Sequence, residues 1–148
     1  MNTRNKGALA EYRFISTAIS LDLRVIVPAV EGYPYDCVID NGKDFYRIQV
    51  KYASKDNRRA NSFSIMTHRR IKSSSPTYRN YTALEVDFYA IYLWYIDTFY
   101  IIPYEAVPSN SISINPKHTN NKYHSYKNNW QQLLQKKWQK HKQQQLNT

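Results

Sequence analysis

The sequence predicts a mixed α/β domain with a central mixed β-sheet flanked by helices. Three features support this class: a helical apolar pattern near the N-terminus, a β-hairpin signal at residues 35–51, and an almost continuous apolar run at residues 86–94. Helices that pack on a sheet bury the apolar face of each element. The 148 residues match the size of one ordinary domain, so we expect a single domain over residues 1–148.

The N-terminal helix is expected from about residue 7 to residue 21. Glu11 lies within its apolar stripe, where a carboxylate is costly unless it is paired or binds a metal. Taken alone, Glu11 is better explained by a place at the edge of the stripe, where it reaches solvent or an arginine. The stripe follows helical spacing and consists of Ala8, Tyr12, Ile15, Ala18 and Ile19.

The hairpin at residues 35–51 is indicated by two alternating apolar runs on either side of Asn41-Gly42. This dipeptide is favoured in tight turns between paired strands. If Asn41 and Gly42 form the centre of the turn, Asp36 faces Arg47 across the two strands. The turn therefore decides which side chains share a face of the sheet.

The hairpin brings three polar side chains to one face. In the same register, Gln49 is the diagonal neighbour of Asp36, at about 7–8 Å. Gln49 and Lys51 are two residues apart, which separates them by about 6.6 Å along the strand. Asp36, Gln49 and Lys51 therefore converge, and a four-residue loop preserves this arrangement whereas a three-residue loop does not.

The remaining segments complete the sheet and its flanks. Residues 23–30 predict a strand that ends near Pro28. The run at residues 86–94 is typical of a strand covered on both faces. Shorter elements are expected as strands at 62–67, 99–102 and 111–114, a short helix beginning within 103–107, and a C-terminal helix at about 130–141.

The chain is strongly basic, with 21 Lys and Arg against 11 Asp and Glu and a formal net charge of +10. Such a charge favours a polyanionic partner. Basic residues concentrate in a polar insertion at residues 55–79, which we expect to bind nucleic acid; a solvated basic loop is the alternative. The candidate binding residues are Lys55, Arg58, Arg59, Arg69, Arg70 and Lys72.

The composition excludes several classes of protein. A single cysteine, Cys37, rules out an internal disulfide and a cysteine-rich zinc site. No apolar run is long enough to span a membrane, and the N-terminal residues lack the apolar core of a secretion signal. We therefore expect a cytoplasmic protein.

The polar residues of the helix and hairpin suit metal-assisted chemistry. Glu11, Asp36 and Gln49 offer the oxygen ligands that hard divalent cations such as Mg²⁺ prefer. Lys51 is suited to orient or activate an attacking water, or to neutralise charge on a phosphate in the transition state. Together with the basic surface, this set predicts phosphodiester hydrolysis in nucleic acid.

The same motifs resemble those of the PD-(D/E)xK nuclease superfamily, which includes many restriction enzymes and archaeal Holliday-junction resolvases. They are KGALAE at residues 6–11, YD at 35–36 and QVK at 49–51, and the resemblance spans about residues 7–107. More narrowly, the chain is similar to small homing endonucleases encoded by cyanobacterial group I introns. The resemblance implies a restriction-endonuclease-like core, dependence on Mg²⁺ with Mn²⁺ as a substitute, and cleavage of double-stranded DNA.

Position by position, the resemblance assigns Glu11 and Asp36 as metal-binding carboxylates and Lys51 as the catalytic lysine. It also implies that the backbone carbonyl of Val50 is a metal ligand. Gln49 occupies a position at which most of the superfamily has Glu or Asp, so metal affinity must depend on the two carboxylates. The alternatives are a Holliday-junction resolvase or restriction-like nuclease, and a catalytically inactive DNA-binding module.

The number of active sites bears on the oligomeric state. One such site hydrolyses one strand, so a double-strand break requires two of them. We therefore expect a two-fold symmetric homo-oligomer. The resemblance to the intron-encoded enzymes implies a tetramer, whereas the sequence itself leaves dimer and tetramer open.

Overall fold

The computed structural model describes residues 1–57, 59, 61–70, 77–108 and 110–134. The chain begins with an α-helix, α1 (Thr3–Ser20). The strands that follow are β1 (Arg24–Ile26), β2 (Cys37–Asp40), β3 (Phe45–Tyr52), β4 (Ser54–Lys55), β5 (Phe63–Met66), β6 (His68–Arg70), β7 (Tyr78–Asn80), β8 (Phe88–Leu93), β9 (Thr98–Pro103) and β10 (Ser111–Ile114). Short 3₁₀ helices lie at Trp94–Ile96, Tyr104–Ala106, His124–Tyr126 and Trp130–Leu133.

The main sheet has five strands in the order β1-β2-β3-β8-β9. It is mixed, because β3 and β8 are parallel while its other neighbouring pairs are antiparallel. Strand β8 is buried on both faces, as its apolar run predicts. Ala90 and Tyr92 pack into the cluster that includes α1, and Tyr89, Ile91 and Leu93 pack into a second cluster. The predicted mixed α/β class is confirmed.

The buried face of helix α1 only partly matches the predicted apolar stripe. Ala10, Phe14 and Ala18 are buried, whereas Tyr12 and Ile19 are exposed, so the prediction is correct at Ala18 and wrong at Tyr12 and Ile19. The ring of Phe14 packs at centroid distances of 5.7 Å against Phe99 and 5.1 Å against Trp130, and these aromatic contacts orient the helix. No helix in the described part of the chain is long and apolar enough to cross a membrane.

The hairpin forms, but its turn is longer than two residues. Asp40 pairs with Phe45, and Val38 rather than Asp36 pairs with Arg47, so the predicted register is wrong by two residues. The cause is the side chain of Asn41, whose Oδ1 accepts hydrogen bonds from the backbone nitrogens of residues 43 and 44 and closes a four-residue loop. A shift of two residues keeps the same side chains on each face of the hairpin. Asp36, Gln49 and Lys51 therefore share a face, as predicted.

The other elements differ mainly in length. The strand predicted at residues 23–30 ends at Ile26. The strands expected at 62–67, 99–102 and 111–114 are present, as is a 3₁₀ helix within 103–107. Residues 130–133 form a 3₁₀ helix rather than the start of an α-helix, and the rest of the C-terminal helix predicted at 130–141 lies almost wholly outside the described residues.

The basic insertion contributes most of two small sheets. Strands β4 and β5 join β10 in a three-stranded sheet, and β6 and β7 form a two-stranded ribbon. The ribbon brings Arg69 directly opposite Arg79. The described part of the insertion is thus largely ordered as strands, and its ribbon leads through Tyr81 back towards the main sheet.

Candidate active site

Asp36 lies immediately before β2, where the register of the hairpin continues to place it opposite Gln49. Its backbone nitrogen donates to the carbonyl of Ile48 at 2.9 Å. One carboxylate oxygen, Oδ2, accepts hydrogen bonds from Gln49 Nε2 at 2.5 Å and from the backbone nitrogen of Val50 at 2.7 Å. The hairpin therefore fixes this carboxylate against β3.

The surroundings of Asp36 disfavour its negative charge when no cation is bound. Burial is the main cause that raises the pKa of Asp36 to about 6, and the nearby charge of Glu11 raises it further. The hydrogen bonds from Val50 and Gln49 and the charge of Lys51 oppose this shift only in part. Two carboxylates that repel each other in a largely buried site favour a bound cation.

Glu11 projects from α1 at the border of the buried face, one residue after Ala10 and three before Phe14. It remains exposed to solvent, although neighbouring protein atoms remove enough water from its carboxyl to raise its pKa. Its charge acts on both Asp36 and Cys37, which places it in the same region as the hairpin. The structure thus brings Glu11 to the site from a separate element.

Gln49 is buried, with 8% of its surface exposed. Its amide nitrogen donates to Asp36 and, at 3.2 Å, to the carbonyl oxygen of Val50. The nitrogen of this amide, rather than its oxygen, therefore faces the Asp36 carboxylate and the Val50 carbonyl. Gln49 can serve as a metal ligand only after its amide group rotates.

Lys51 is half-buried on the same strand, and its Nζ donates a hydrogen bond to the hydroxyl of Tyr81 at 3.2 Å. Burial lowers the pKa of Lys51, the charge of Arg69 lowers it further, and the charge of Asp36 opposes the change. No sequence pattern selects Tyr81, because it is one of 14 tyrosines and lies outside every apolar pattern. Only the folded chain brings it to Lys51.

The donor set fits a hard divalent cation with few protein ligands. Among the described residues, no group of three or more His, Cys, Asp or Glu side chains could hold a metal. A site built on Glu11 and Asp36 must therefore include neutral oxygens; the Gln49 amide lies beside Asp36, and the same amide contacts the Val50 carbonyl. Carboxylates, carbonyls and water are the ligands that Mg²⁺ and Mn²⁺ accept.

The predicted nucleic-acid-binding residues lie at different places. Arg69 is close enough to affect the pKa of Lys51, and it donates to the carbonyl of Gly32 at 3.2 Å and lies 4.0 Å from Glu85. Lys55 and Arg59 are exposed and lie in or beside β4. Of the remaining predictions, those for Arg58, Lys72 and the side chain of Arg70 fall outside the described part of the chain.

Known proteins similar to this chain were found at the level of the family and of the fold. A model of the PD-(D/E)XK endonuclease family matches residues 1–133. Among solved structures, the chain is similar to a bacterial homing endonuclease, I-Ssp6803I, with a TM-score of 0.80 and 22% sequence identity over 93% of this chain and 96% of that chain. At this identity the likeness shows the fold alone, and it confirms the predicted core. No curated protein matches the sequence.

Proposed function

The chain belongs to the PD-(D/E)XK endonuclease family, and we propose that it is a metal-dependent, site-specific endonuclease that cuts both strands of duplex DNA. The observation that carries this proposal is the convergence of the Asp36, Gln49 and Lys51 side chains on one face of the hairpin, with the backbone of Val50 and the charge of Glu11 beside them. This set combines oxygen atoms that can bind a metal with the positively charged side chain of Lys51. Metal-assisted hydrolysis of a phosphodiester uses groups of these two kinds.

Glu11 and Asp36 would hold Mg²⁺, with the Val50 carbonyl and the rotated amide of Gln49 as neutral ligands. A bound Mg²⁺ supplies a Lewis acid that lowers the pKa of a water molecule and stabilises charge on a phosphate oxygen. Asp36 is suited to this role because the hydrogen bonds that fix it converge on Oδ2. Within the described part of the chain, no hydrogen bond reaches its other oxygen, Oδ1.

Lys51 supplies a positive charge within the site. Its Nζ is held on the same strand as Gln49 and Val50, and Asp36 is the charge that favours its protonated form. An ammonium has three hydrogen-bond donors, so after the bond to Tyr81 two donors remain. We assign these to a phosphate oxygen and to the attacking water, where they stabilise charge that develops in the transition state.

The homing type of endonuclease is supported by the likeness in length and fold. The similar solved structure is titled as a bacterial homing endonuclease, and 96% of its chain is covered. Because one site hydrolyses one strand, we propose a symmetric homo-oligomer, either a dimer or a tetramer. Arg69, Lys55 and Arg59 are the described residues proposed to contact DNA.

One observation favours a second candidate, a catalytically inactive DNA-binding module. Gln49 brings no charge and presents its nitrogen to the site, so metal affinity depends on two carboxylates. Such a module would bind DNA as tightly but would not cut it. A junction resolvase or a restriction-like nuclease would share the chemistry and differ in substrate, namely a four-way junction or a short palindrome.

The experiment is cleavage of a pool of random duplex DNA with Mg²⁺, compared with the same pool in Ca²⁺ or EDTA. We expect recurrent double-strand breaks at one long sequence with Mg²⁺ alone. Lys51→Ala should abolish cleavage and preserve DNA binding, whereas Lys43→Ala, an exposed lysine in the hairpin loop, should cut normally. Cleavage by Lys51→Ala at the normal rate would refute the mechanism, and binding without any cleavage would support the inactive module.

A further inference from the structure

We infer that Tyr81 is a positioning residue of the active site, whose hydroxyl holds the ammonium group of Lys51 in place for the reaction. This inference rests on the proposed function. Tyr81 is 30 residues from Lys51 in sequence, and its hydroxyl accepts the hydrogen bond from Lys51 Nζ at 3.2 Å. The same Nζ lies 5.1 Å from the centroid of the tyrosine ring, so one side chain contacts the ammonium in two ways.

Lysine needs such a partner because its charge lies at the end of a flexible four-carbon stem. An ammonium that must be ordered during the reaction adds an entropic cost, and fixing it beforehand removes part of that cost. The oxygen of Tyr81 occupies one of the three ammonium donors. The other two donors remain free to bind the substrate.

Tyr81 is itself held firmly. It is 6% exposed, and its ring packs edge-on against Tyr89 at a centroid distance of 5.9 Å. Its backbone carbonyl accepts a hydrogen bond from the Tyr104 hydroxyl at 3.0 Å. Burial raises the pKa of Tyr81 to about 12, so its hydroxyl stays neutral at pH 7 and serves as an acceptor rather than as a base.

The test is Tyr81→Phe, which removes the hydroxyl and keeps the ring. With an excess of enzyme over a duplex recovered from the random pool, we expect the single-turnover cleavage rate to fall about tenfold. The Kd for the same duplex without Mg²⁺ should not change, because the hydroxyl is occupied by Lys51 rather than by DNA. Tyr81→Leu also removes the ring contact and should lower the rate further.

Tyr100→Phe is the matched control, since it removes the hydroxyl of another buried tyrosine in the same hydrophobic cluster and leaves the described contacts of Tyr81 and Lys51 in place. It should cleave at the normal rate. An unchanged rate in Tyr81→Phe would overturn the inference, as would an equal loss of rate in both variants. If Lys51→Ala is inactive while Tyr81→Phe is fully active, this inference fails and the proposed function stands.

A second measurement does not depend on cleavage. The ammonium protons of Lys51, observed by nitrogen-15 NMR on the intact chain, should exchange with water several-fold faster in Tyr81→Phe because a hydrogen bond slows their release. Tyr100→Phe should leave this exchange unchanged. The same exchange rate in the wild-type protein and in Tyr81→Phe would overturn the inference even if no cleavable duplex is found.

Discussion

Gln49 is the residue at which the site departs most from the pattern of the PD-(D/E)xK superfamily. Its amide nitrogen bridges Asp36 and the carbonyl of Val50. A Glu at this position would place a third negative charge against Asp36 when no metal is bound, whereas the amide donates a hydrogen bond there. Gln49 therefore stabilises the metal-free arrangement of Asp36, and under the proposed function metal affinity depends on Asp36 and Glu11.

Asp36 makes the metal-free protein less stable as pH rises. Its pKa is raised from 3.8 to about 6 by burial and then by Glu11, so the neutral form is favoured in the folded chain. This contribution to stability is fully present below pH 3.8 and is lost as pH rises through about 6. Asp36→Asn keeps an oxygen to accept the bonds from Gln49 and Val50 and removes the charge.

We therefore predict that, in EDTA, Asp36→Asn raises the free energy of unfolding at pH 8 by up to about 3 kcal/mol. At pH 4 the two proteins should differ little. The measurement is urea denaturation at both pH values, repeated with Mg²⁺, which should stabilise the wild-type protein more than the variant. A variant that is less stable than the wild-type protein at pH 8 in EDTA would contradict this account.

The sequence predicted part of the site because strand parity is robust. Asp36, Gln49 and Lys51 share a face for any loop with an even number of residues. The error in the predicted turn length therefore did not change the predicted face. Tyr81 could not be predicted from the sequence, because its partner lies 30 positions away and no local pattern links the two residues. Glu11 was singled out because it interrupts the predicted apolar stripe, and the resemblance then implied its role as a metal ligand, although only Ala18 of that stripe is fully buried.

Among the elements, the parallel pair β3 and β8 has the central part in positioning the site. This pair carries Gln49, Val50 and Lys51 on β3 against Tyr89, Ala90 and Ile91 on β8. The two strands are joined at their beginning by Arg47 and Asp87. Asp87 accepts bonds from the backbone nitrogen of Arg47 at 2.8 Å and from its guanidinium at 2.9 and 2.8 Å.

We predict that Asp87→Asn lowers the free energy of unfolding by about 1–2 kcal/mol, because it weakens a half-buried, charge-assisted pair. Burial acts to raise the pKa of Asp87, but the bonds from Arg47 outweigh it and the net pKa is lowered. The loss should therefore be present at pH 7 and shrink as pH falls below about 3.8. Urea denaturation measures it.

The control for this prediction is Arg24→Ala, which breaks an ion pair with Asp40 at the edge of the sheet. The Arg24 side chain is 66% exposed, so the loss should be below about 1 kcal/mol. Equal destabilisation by Asp87→Asn and Arg24→Ala would show that the Arg47–Asp87 pair contributes no more to stability than an exposed ion pair does.

The buried residues could be predicted for β8, which is covered on both faces, but not for α1, which is buried on one face. The run around β8 is apolar on both faces, so its assignment needed no choice of face. Helix α1 has apolar side chains on more than one side, and the contacts of Phe14 with Phe99 and Trp130 decide which side is buried. Those partners lie far away in sequence, which is why the stripe of α1 was misplaced.

For the whole molecule, the formal charge of +10 predicts binding to DNA that depends strongly on salt. Each phosphate neutralised on duplex DNA adds about 0.9 to the slope of log affinity against log salt concentration. Lys55 and Arg59 are exposed and lie within the insertion proposed to bind DNA. We predict that Lys55→Ala and Arg59→Ala each weaken binding across sequences and lower the slope by about 1.

Arg24→Ala removes one positive charge as well. Arg24 lies on β1, at the edge of the main sheet and outside the insertion, and it forms an ion pair with Asp40. The substitution should leave the slope unchanged. Fluorescence anisotropy with a labelled duplex, from 50 to 300 mM KCl, separates the two cases. If all three variants lower the slope equally, the effect comes from net charge alone and the insertion is not the DNA-binding face. If only Lys55→Ala and Arg59→Ala do so, strands β4 and β5 and the loop between them lie along the DNA backbone.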